Sequence, residues 1–202
     1  MHIIDLSANT ALTTLDVSST SLTALDVSKN TSITSIIVSG CPISSFIIKG
    51  NFPSLIGQYV VPNGVKGVVF YANSVVKIVS VDEASKTWGY YGTLIGATSS
   101  NDGKANTDMI ASDSDAAKWC RAKGAAWYLP AKEEISMISI NLIELNIGLS
   151  AIGETQLDNH VASYWSSSEA SINTACGIVL RDGYLGNYEK SMSLKVRAVR
   201  IL

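Results

Sequence analysis

The sequence predicts an α+β protein in two parts, a short repeat solenoid followed by a larger head domain. Apolar residues recur every 10 or 11 positions through the first 51 residues. After residue 67, strand-type apolar runs are followed by helix-type segments and then by further strand-type runs. Glycine and proline punctuate the stretch between these patterns. The predicted domains are a repeat segment over 1–51, a linker or last coil over 52–66, and a head over 67–202.

The repeat segment has regular apolar and polar rows. One apolar row contains Ile4, Leu15, Leu25, Ile36 and Phe46, at steps of 11, 10, 11 and 10 residues. The polar row contains Asn9, Thr20, Asn30, Cys41 and Asn51. Two steps fall within the length range of leucine-rich repeats, so we expect a leucine-rich-repeat solenoid whose inward Asn groups bond to neighbouring backbone. The segment also resembles the Leu-Asp-Val-Ser repeats of bacterial surface proteins, and its uncapped start leads us to expect further repeats before it.

The head begins with two predicted strands, Val68 to Tyr71 and Val75 to Val81, joined by a short turn. The polar, glycine-bearing stretch from Asp82 to Ser112 predicts an irregular connection. A helix is predicted over Ser114 to Lys123, and Pro130 opens a second helix that continues through residue 145. The capping box of this second helix is half lost, because an alanine follows the proline.

Three further strands are predicted near the C-terminus, at Tyr164 to Ser167, Ala175 to Leu180 and Leu194 to Ala198. The last of these alternates apolar and charged residues with the period of a half-buried strand. Between the second and third strands, the stretch from Arg181 to Ser193 is polar and contains glycine, so it is predicted to be a loop. Trp127 and Trp165 are predicted to lie in the core.

Composition excludes several classes of function. The chain has 202 residues, 47% hydrophobic and 16% charged, which indicates a globular protein. A net charge of −2 provides no basic surface for nucleic acid. No apolar run reaches the length of a membrane-spanning helix. We therefore expect neither a nucleic-acid partner nor a membrane span in this chain.

The sequence offers little chemistry for catalysis or metal binding. Its two histidines, His2 and His160, have no nucleophile motif beside them, so we expect no enzyme and no catalytic residues. Its three cysteines, Cys41, Cys120 and Cys176, form no metal-binding pair and are predicted to be free thiols. The stretch from Asn101 to Asp108 suggests calcium, but it lacks the spacing of an EF-hand, and a structural loop is the favoured interpretation. No cofactor and no metal site are predicted.

Six segments of the head resemble the DUF1566 family, in the order seen there. They are Gly67–Tyr71, Ile78–Glu83, Asp102–Thr107, Trp127–Pro130 with Glu133–Ile135, Tyr164–Glu169 and Val196–Arg200. That family is related to the C-terminal domain of Legionella collagen-like protein. The resemblance covers about residues 65–202 and implies a C-type-lectin-like fold for the head.

The resemblance implies a non-enzymatic, ligand-binding protein displayed on the bacterial cell surface or outside the cell, of adhesin or receptor type. It extends to the variable proteins of diversity-generating retroelements. An alternative is a structural component of a pilus or another surface assembly, and a weaker one is an enzyme of the formylglycine-generating type of fold. The expected partner is a protein or a glycan that the sequence does not identify.

The candidate ligand-binding face lies on loops between the C-terminal strands. Tyrosine, asparagine and serine are favoured on adaptable binding surfaces. Loops that join neighbouring strands are expected to emerge near one another. The candidate ligand-binding residues are Ser171, Asn173, Arg181, Asp182, Tyr184, Asn187, Tyr188 and Lys190.

Overall fold

The computed structural model describes residues 2–202. Its helices are α1 (Gly103–Ile110), α2 (Asp115–Arg121), α3 (Lys132–Ile140) and α4 (Leu142–Ala151). Its strands are β1 (Thr14–Asp16), β2 (Ala24–Asp26), β3 (Ser35–Ile37), β4 (Ser45–Ile47), β5 (Tyr59–Val60), β6 (Gly67–Asn73), β7 (Val75–Ser80), β8 (Ala84–Thr87), β9 (Ser163–Glu169), β10 (Thr174–Val179), β11 (Tyr184–Glu189), β12 (Ser193–Val196) and β13 (Val199–Ile201).

The chain divides into two compact units. The first contains the residues up to Val81 together with 143–156 and 201–202, and the second contains 82–142 and 157–200. The domain boundaries that the sequence predicts at residues 51 and 66 stay predictions.

The repeats of the first unit form two small parallel sheets. β1 pairs with β3, and β2 pairs with β4. Their apolar rows point inward, and the predicted bonding of inward Asn groups is confirmed at Asn30. Its Nδ2 donates to the carbonyls of Leu6 at 2.9 Å and Asn9 at 2.8 Å. The Cys41 thiol donates in the same manner to the Val17 carbonyl at 2.8 Å.

The prediction of a leucine-rich-repeat solenoid is wrong. Successive strands of the repeat alternate between two separate sheets, so β1 and β2 do not pair with each other. A leucine-rich repeat supplies one strand per repeat to one continuous sheet. Residues 2–202 contain no such arrangement. Because the two halves of each 21-residue step have the same apolar rows, both halves form a strand: Thr14 pairs with Ser35 in one sheet, and Ala24 pairs with Ser45 in the other.

The first unit also contains β5, β6 and β7, in which β6 pairs antiparallel with both of the other strands. The predicted hairpin is confirmed: β6 and β7 pair through a turn in which Ser74 has a φ of 62°. The chain end joins this sheet, since the Leu202 N–H donates to the Val76 carbonyl at 3.0 Å.

The second unit is built on a mixed five-stranded sheet in the order β11-β10-β9-β12-β8. β12 runs parallel to β9, and the other neighbours are antiparallel. The prediction that Trp127 and Trp165 belong to the core is confirmed, because both are buried. Helix α2 is confirmed as well: the Ser114 side chain caps it by accepting the Ala117 N–H at 3.1 Å.

The predicted C-type-lectin-like head is also wrong. The strands assigned to it lie in two different sheets that belong to two units, and four short helices accompany them among residues 2–202. Three local predictions also fail. The connection 82–112 contains β8 and α1, the loop 181–193 contains β11, and the second helix is divided into α3 and α4 at Asn141. The structural loop predicted from Asn101 to Asp108 is wrong as well, because most of this stretch is helix α1. Asp102 caps the helix by accepting the Ala105 N–H at 2.9 Å.

Candidate functional site

The candidate site is the outer side of strand β11, which we call the β11 edge (Tyr184–Glu189). β11 forms an antiparallel hairpin with β10 and ends the five-stranded sheet of the described chain on that side. The hairpin turn places Gly183 in the left-handed region at a φ of 71°. Asp182 Oδ1 accepts the Tyr184 N–H at 3.1 Å. The strand therefore starts directly after the turn.

Alternate residues of β11 direct their backbone groups away from β10. The Lys190 N–H donates to the Asn173 carbonyl at 2.9 Å, so these two residues form a hydrogen-bonded pair. Hydrogen-bonded and non-hydrogen-bonded pairs alternate along an antiparallel ladder. Following the register from this pair, the backbone N–H and C=O groups of Leu185 and Asn187 face outward.

The β11 edge also exposes large side chains. Tyr184 is 63% exposed and Leu185 is 43% exposed, and Asn187 is exposed beside them. Proteins commonly protect edge strands with proline, lysine or a bulge. The segment Tyr184–Glu189 has neither residue type, and its pairing with β10 is regular. This edge is therefore a template for pairing with another strand.

Tyr188 differs from Tyr184 because its ring packs against its own sheet. Its hydroxyl bonds to the Ser163 hydroxyl at 2.8 Å, and its ring meets Trp165 edge-on with 6.2 Å between the centroids. Two glycines make room for the ring: a Cβ on Gly177 or on Gly186 would lie 3.0 Å from ring carbons of Tyr188. Tyr188 therefore helps to hold β11 on the sheet.

The structure does not bring the eight predicted binding residues together as one face. Arg181 and Asp182 lie in the exposed turn at one end of β11, where the hydrogen bond from Arg181 lowers the pKa of Asp182. Ser171 and Asn173 lie in the turn before β10, at the other end, and the Ser171 hydroxyl caps that turn internally. The remaining four residues, which belong to β11 or follow it directly, are Tyr184, Asn187, Tyr188 and Lys190.

Lys190 lies apart from the exposed residues, because it forms a fully buried ion pair with Glu169. The two side chains are 0% exposed, and Lys190 Nζ lies 2.6 Å from Glu169 Oε1. The ammonium also donates to the carbonyls of Thr93 at 2.7 Å and Ile172 at 3.1 Å. Burial acts to raise the pKa of Glu169, but the bond from Lys190 and backbone N–H donors lower it below its usual value.

Besides its bond with Lys190, the Glu169 carboxylate also binds the loop before α1. It accepts the backbone N–H of Ile95 at 3.0 Å and of Gly96 at 2.6 Å. Each oxygen therefore has a donor, which is the condition under which a buried charge is tolerated. The pair joins this loop, the end of β9 and the residue after β11, and its contacts indicate a role in stability.

No group of three His, Cys, Asp or Glu side chains that could hold a metal ion occurs in residues 2–202. His160 is exposed in a turn, and its backbone N–H donates to Asp158. All three cysteines are free and buried, and burial raises the pKa of the Cys176 thiol, which disfavours its reactive thiolate form. The absence of an enzymatic activity stays a prediction.

Sequence reasoning missed Glu169, Gly177 and Gly186. Glu169 appeared only as the end of a strand motif, and nothing nearby in the sequence indicated a buried lysine partner. A local signal for β11 did exist. Tyr184, Gly186 and Tyr188 alternate with Leu185, Asn187 and Glu189, and this period of two is typical of a strand.

Comparisons with known proteins find a similarity of fold. No family model matches the chain, and the search of curated proteins finds no match. Among solved structures, the chain is similar to a fimbrial protein from Bacteroides ovatus ATCC 8483, with a TM-score of 0.57 and 13% identity. The alignment covers 81% of this chain and 51% of that one, so this chain spans about half the length of the fimbrial protein. None of the helices in residues 2–202 is long and apolar enough to cross a membrane.

Proposed function

We propose that this chain is a structural component of a surface assembly of the pilus type, located at the cell surface or outside the cell. The similarity to the fimbrial protein over 81% of the chain carries this proposal. The ligand-binding role implied by the sequence is less well supported, because its eight residues are spread over two ends of a hairpin and one buried pair. Membership of the DUF1566 family stays a prediction from sequence motifs.

The β11 edge adds a physical means of assembly. An exposed strand edge gains backbone hydrogen bonds when a second strand pairs with it, which is a common mode of protein association. The outward backbone groups of Leu185 and Asn187 and the exposed ring of Tyr184 meet these requirements. Such an edge needs no cofactor and no catalytic group.

Immunogold electron microscopy of the cells that make this chain tests the proposed function. Antibody raised against the purified chain is applied to intact cells and, in parallel, to cells that lack the gene. We expect gold particles on surface fibres or surface arrays of the first cells and not of the second. Labelling confined to the interior after permeabilisation would contradict the proposal. An antibody against a cytosolic protein controls for cell integrity.

A further inference from the structure

The β11 edge has a sequence that is complementary to itself. In the antiparallel arrangement, two copies of Tyr184–Glu189 can face each other across a two-fold axis that passes by Gly186. The outward residues then form two hydrogen-bonded pairs, in which Leu185 of each copy lies opposite Asn187 of the other. Each such pair exchanges both backbone bonds. Leu185 and Asn187, which make these backbone bonds, are both exposed in the single chain.

The side chains favour this register over its neighbour. With the axis at Gly186, Tyr184 of one copy lies opposite Tyr188 of the other in a non-hydrogen-bonded pair. The exposed Tyr184 ring can then pack on the half-exposed outer side of the Tyr188 ring, which stays on its own sheet. With the axis at Asn187, Tyr184 would instead face Lys190, which is buried and already paired in its own copy. The glycine at the axis leaves the opposing backbones unobstructed.

Charge is also compatible with the pairing of two copies. The one acidic residue of the β11 edge, Glu189, lies opposite Gly183 in this register, so no like charges face each other directly. Like charges directly opposite one another would destabilise a strand pair.

We propose that β11 pairs with β11 of a second copy of this chain, antiparallel and in the register with Gly186 at the axis. This inference rests on the proposed assembly function and names its partner. A contact of one strand each is smaller than the roughly 1,000 Å² expected of a stable interface, so the pairing is weak and depends on concentration. Because the same surface is used by both copies, the interface closes as a dimer, and a fibre requires a second contact.

Sedimentation equilibrium of the full chain, over a wide range of concentrations, measures the pairing. We expect a monomer–dimer equilibrium. Asn187→Pro removes an outward N–H without removing a bond to β10, and it should weaken dimerisation by about tenfold or more. Asn187→Ala is the matched control, because it removes the side chain and keeps the backbone donor, and it should dimerise nearly as wild type does. Far-UV circular dichroism checks that each variant is folded.

Disulfide cross-linking tests the register independently of the proline variant. The double variant Leu185→Cys/Asn187→Cys places facing cysteines within bridging distance when Gly186 is at the axis. We expect it to form a covalent dimer under mild oxidation, whereas the single variant Asn187→Cys and the wild type should not. The three native cysteines do not interfere in folded protein, because they are buried.

Three results would overturn the inference: a monomer at every concentration, dimerisation unchanged by Asn187→Pro, or cross-linking of the single variant Asn187→Cys as readily as of the double variant. If the β11 edge binds another protein while the chain itself stays monomeric, the inference is overturned in the same way as by the first result. The two proposals can fail separately. If the cells are labelled at the surface but the proline variant dimerises like wild type, only the proposed strand pairing is refuted. If the chain dimerises in the register described but is confined to the cell interior, only the proposed surface function is refuted.

Discussion

Replacing Lys190 by methionine probes the buried ion pair without changing the volume of the side chain greatly. The substitution leaves the Glu169 carboxylate, which is 0% exposed, without its cation at 2.6 Å. It also removes the donor to the carbonyls of Thr93 and Ile172. Removing one member of a buried pair costs about 3–5 kcal/mol, because the remaining charge is buried and unpaired. Two backbone donors remain on the carboxylate, so we expect about 3–4 kcal/mol.

The double variant Lys190→Met/Glu169→Gln separates the pairing of the charges from the packing of the side chains. Glutamine has no charge to leave unpaired, and its carbonyl oxygen can still accept the N–H of Gly96. We therefore expect Lys190→Met to cost about 2 kcal/mol less in the Glu169→Gln background than in wild type. Urea unfolding followed by tryptophan fluorescence measures these differences. All four tryptophans lie in the second unit, so the signal reports on the unit that contains the pair.

The pH dependence provides a second check on the same pair. In wild type the pKa of Glu169 is below its usual value near 4.5, so the stabilisation from its charge is complete above that pH and is lost as the pH falls through the lower, folded value. In Lys190→Met, burial acts without the cation and raises the pKa of Glu169. Protonation of Glu169 then removes its unpaired buried charge from the variant. The difference in unfolding free energy between the variant and wild type should therefore narrow as the pH falls from neutral toward 4.5. Equal costs of Lys190→Met in both backgrounds, with a gap independent of pH, would refute the reasoning.

The remaining predictions concern the two tyrosines, a glycine and the thiols. Tyr188→Ala should destabilise the second unit by about 2–4 kcal/mol in urea unfolding, because its ring packs on Trp165, whereas the control Tyr184→Ala should stay within about 0.5 kcal/mol. An equal cost for both would contradict this difference in packing. Gly177→Ala should cost about 1–3 kcal/mol in the same assay, since its Cβ would lie 2.9 Å from the backbone oxygen of Tyr164 on the neighbouring strand; a neutral effect would mean that the backbones of β9 and β10 move apart without cost. A thiol reagent should react slowly with folded protein and with three groups after unfolding without reductant, and fewer than three would indicate a disulfide. Those groups are Cys41, Cys120 and Cys176.

Elements with strong local signals could be predicted from the sequence. Helix α2 has a serine cap whose hydroxyl accepts an N–H at 3.1 Å, and its sequence signal is complete within ten residues. The β6–β7 hairpin follows from two apolar runs around a turn. In each case the residues that determine the structure are neighbours in the sequence. Such elements depend little on the rest of the fold.

The buried ion pair shows why part of the site could not be predicted. Glu169 and Lys190 are 21 residues apart, and each is of a type that is normally exposed. They are buried because β9 and the residue after β11 meet at one end of the sheet, where the loop before α1 supplies backbone donors to Glu169. Three separate segments must be in place before either charge can be buried. No local pattern contains this information.

The repeat segment illustrates an ambiguity of a different kind. A step of 10 or 11 residues is consistent with half of one leucine-rich repeat or with a complete strand-and-turn unit. Counting two steps as one repeat predicts a single sheet, but the two halves carry the same apolar rows. Because each half of a two-step repeat has the same apolar residues to bury, each half forms a strand. The strands from the two halves lie in two separate sheets. The equality of the halves was visible in the sequence and favours the structure that is found.

The two tyrosines of β11 have the same residue type, the same strand and the same face of the sheet, yet their surroundings differ. The ring of Tyr188 lies over Gly177 and Gly186, and Trp165 is level with these glycines on the next strand. The ring therefore packs on the glycine backbone and against the Trp165 side chain. Tyr184 follows the turn at the end of the hairpin, and 63% of its surface is left in solvent. Because packing already uses Tyr188, a contact made by this strand with another chain gains most new burial at Tyr184. A substitution there should therefore affect association before it affects folding.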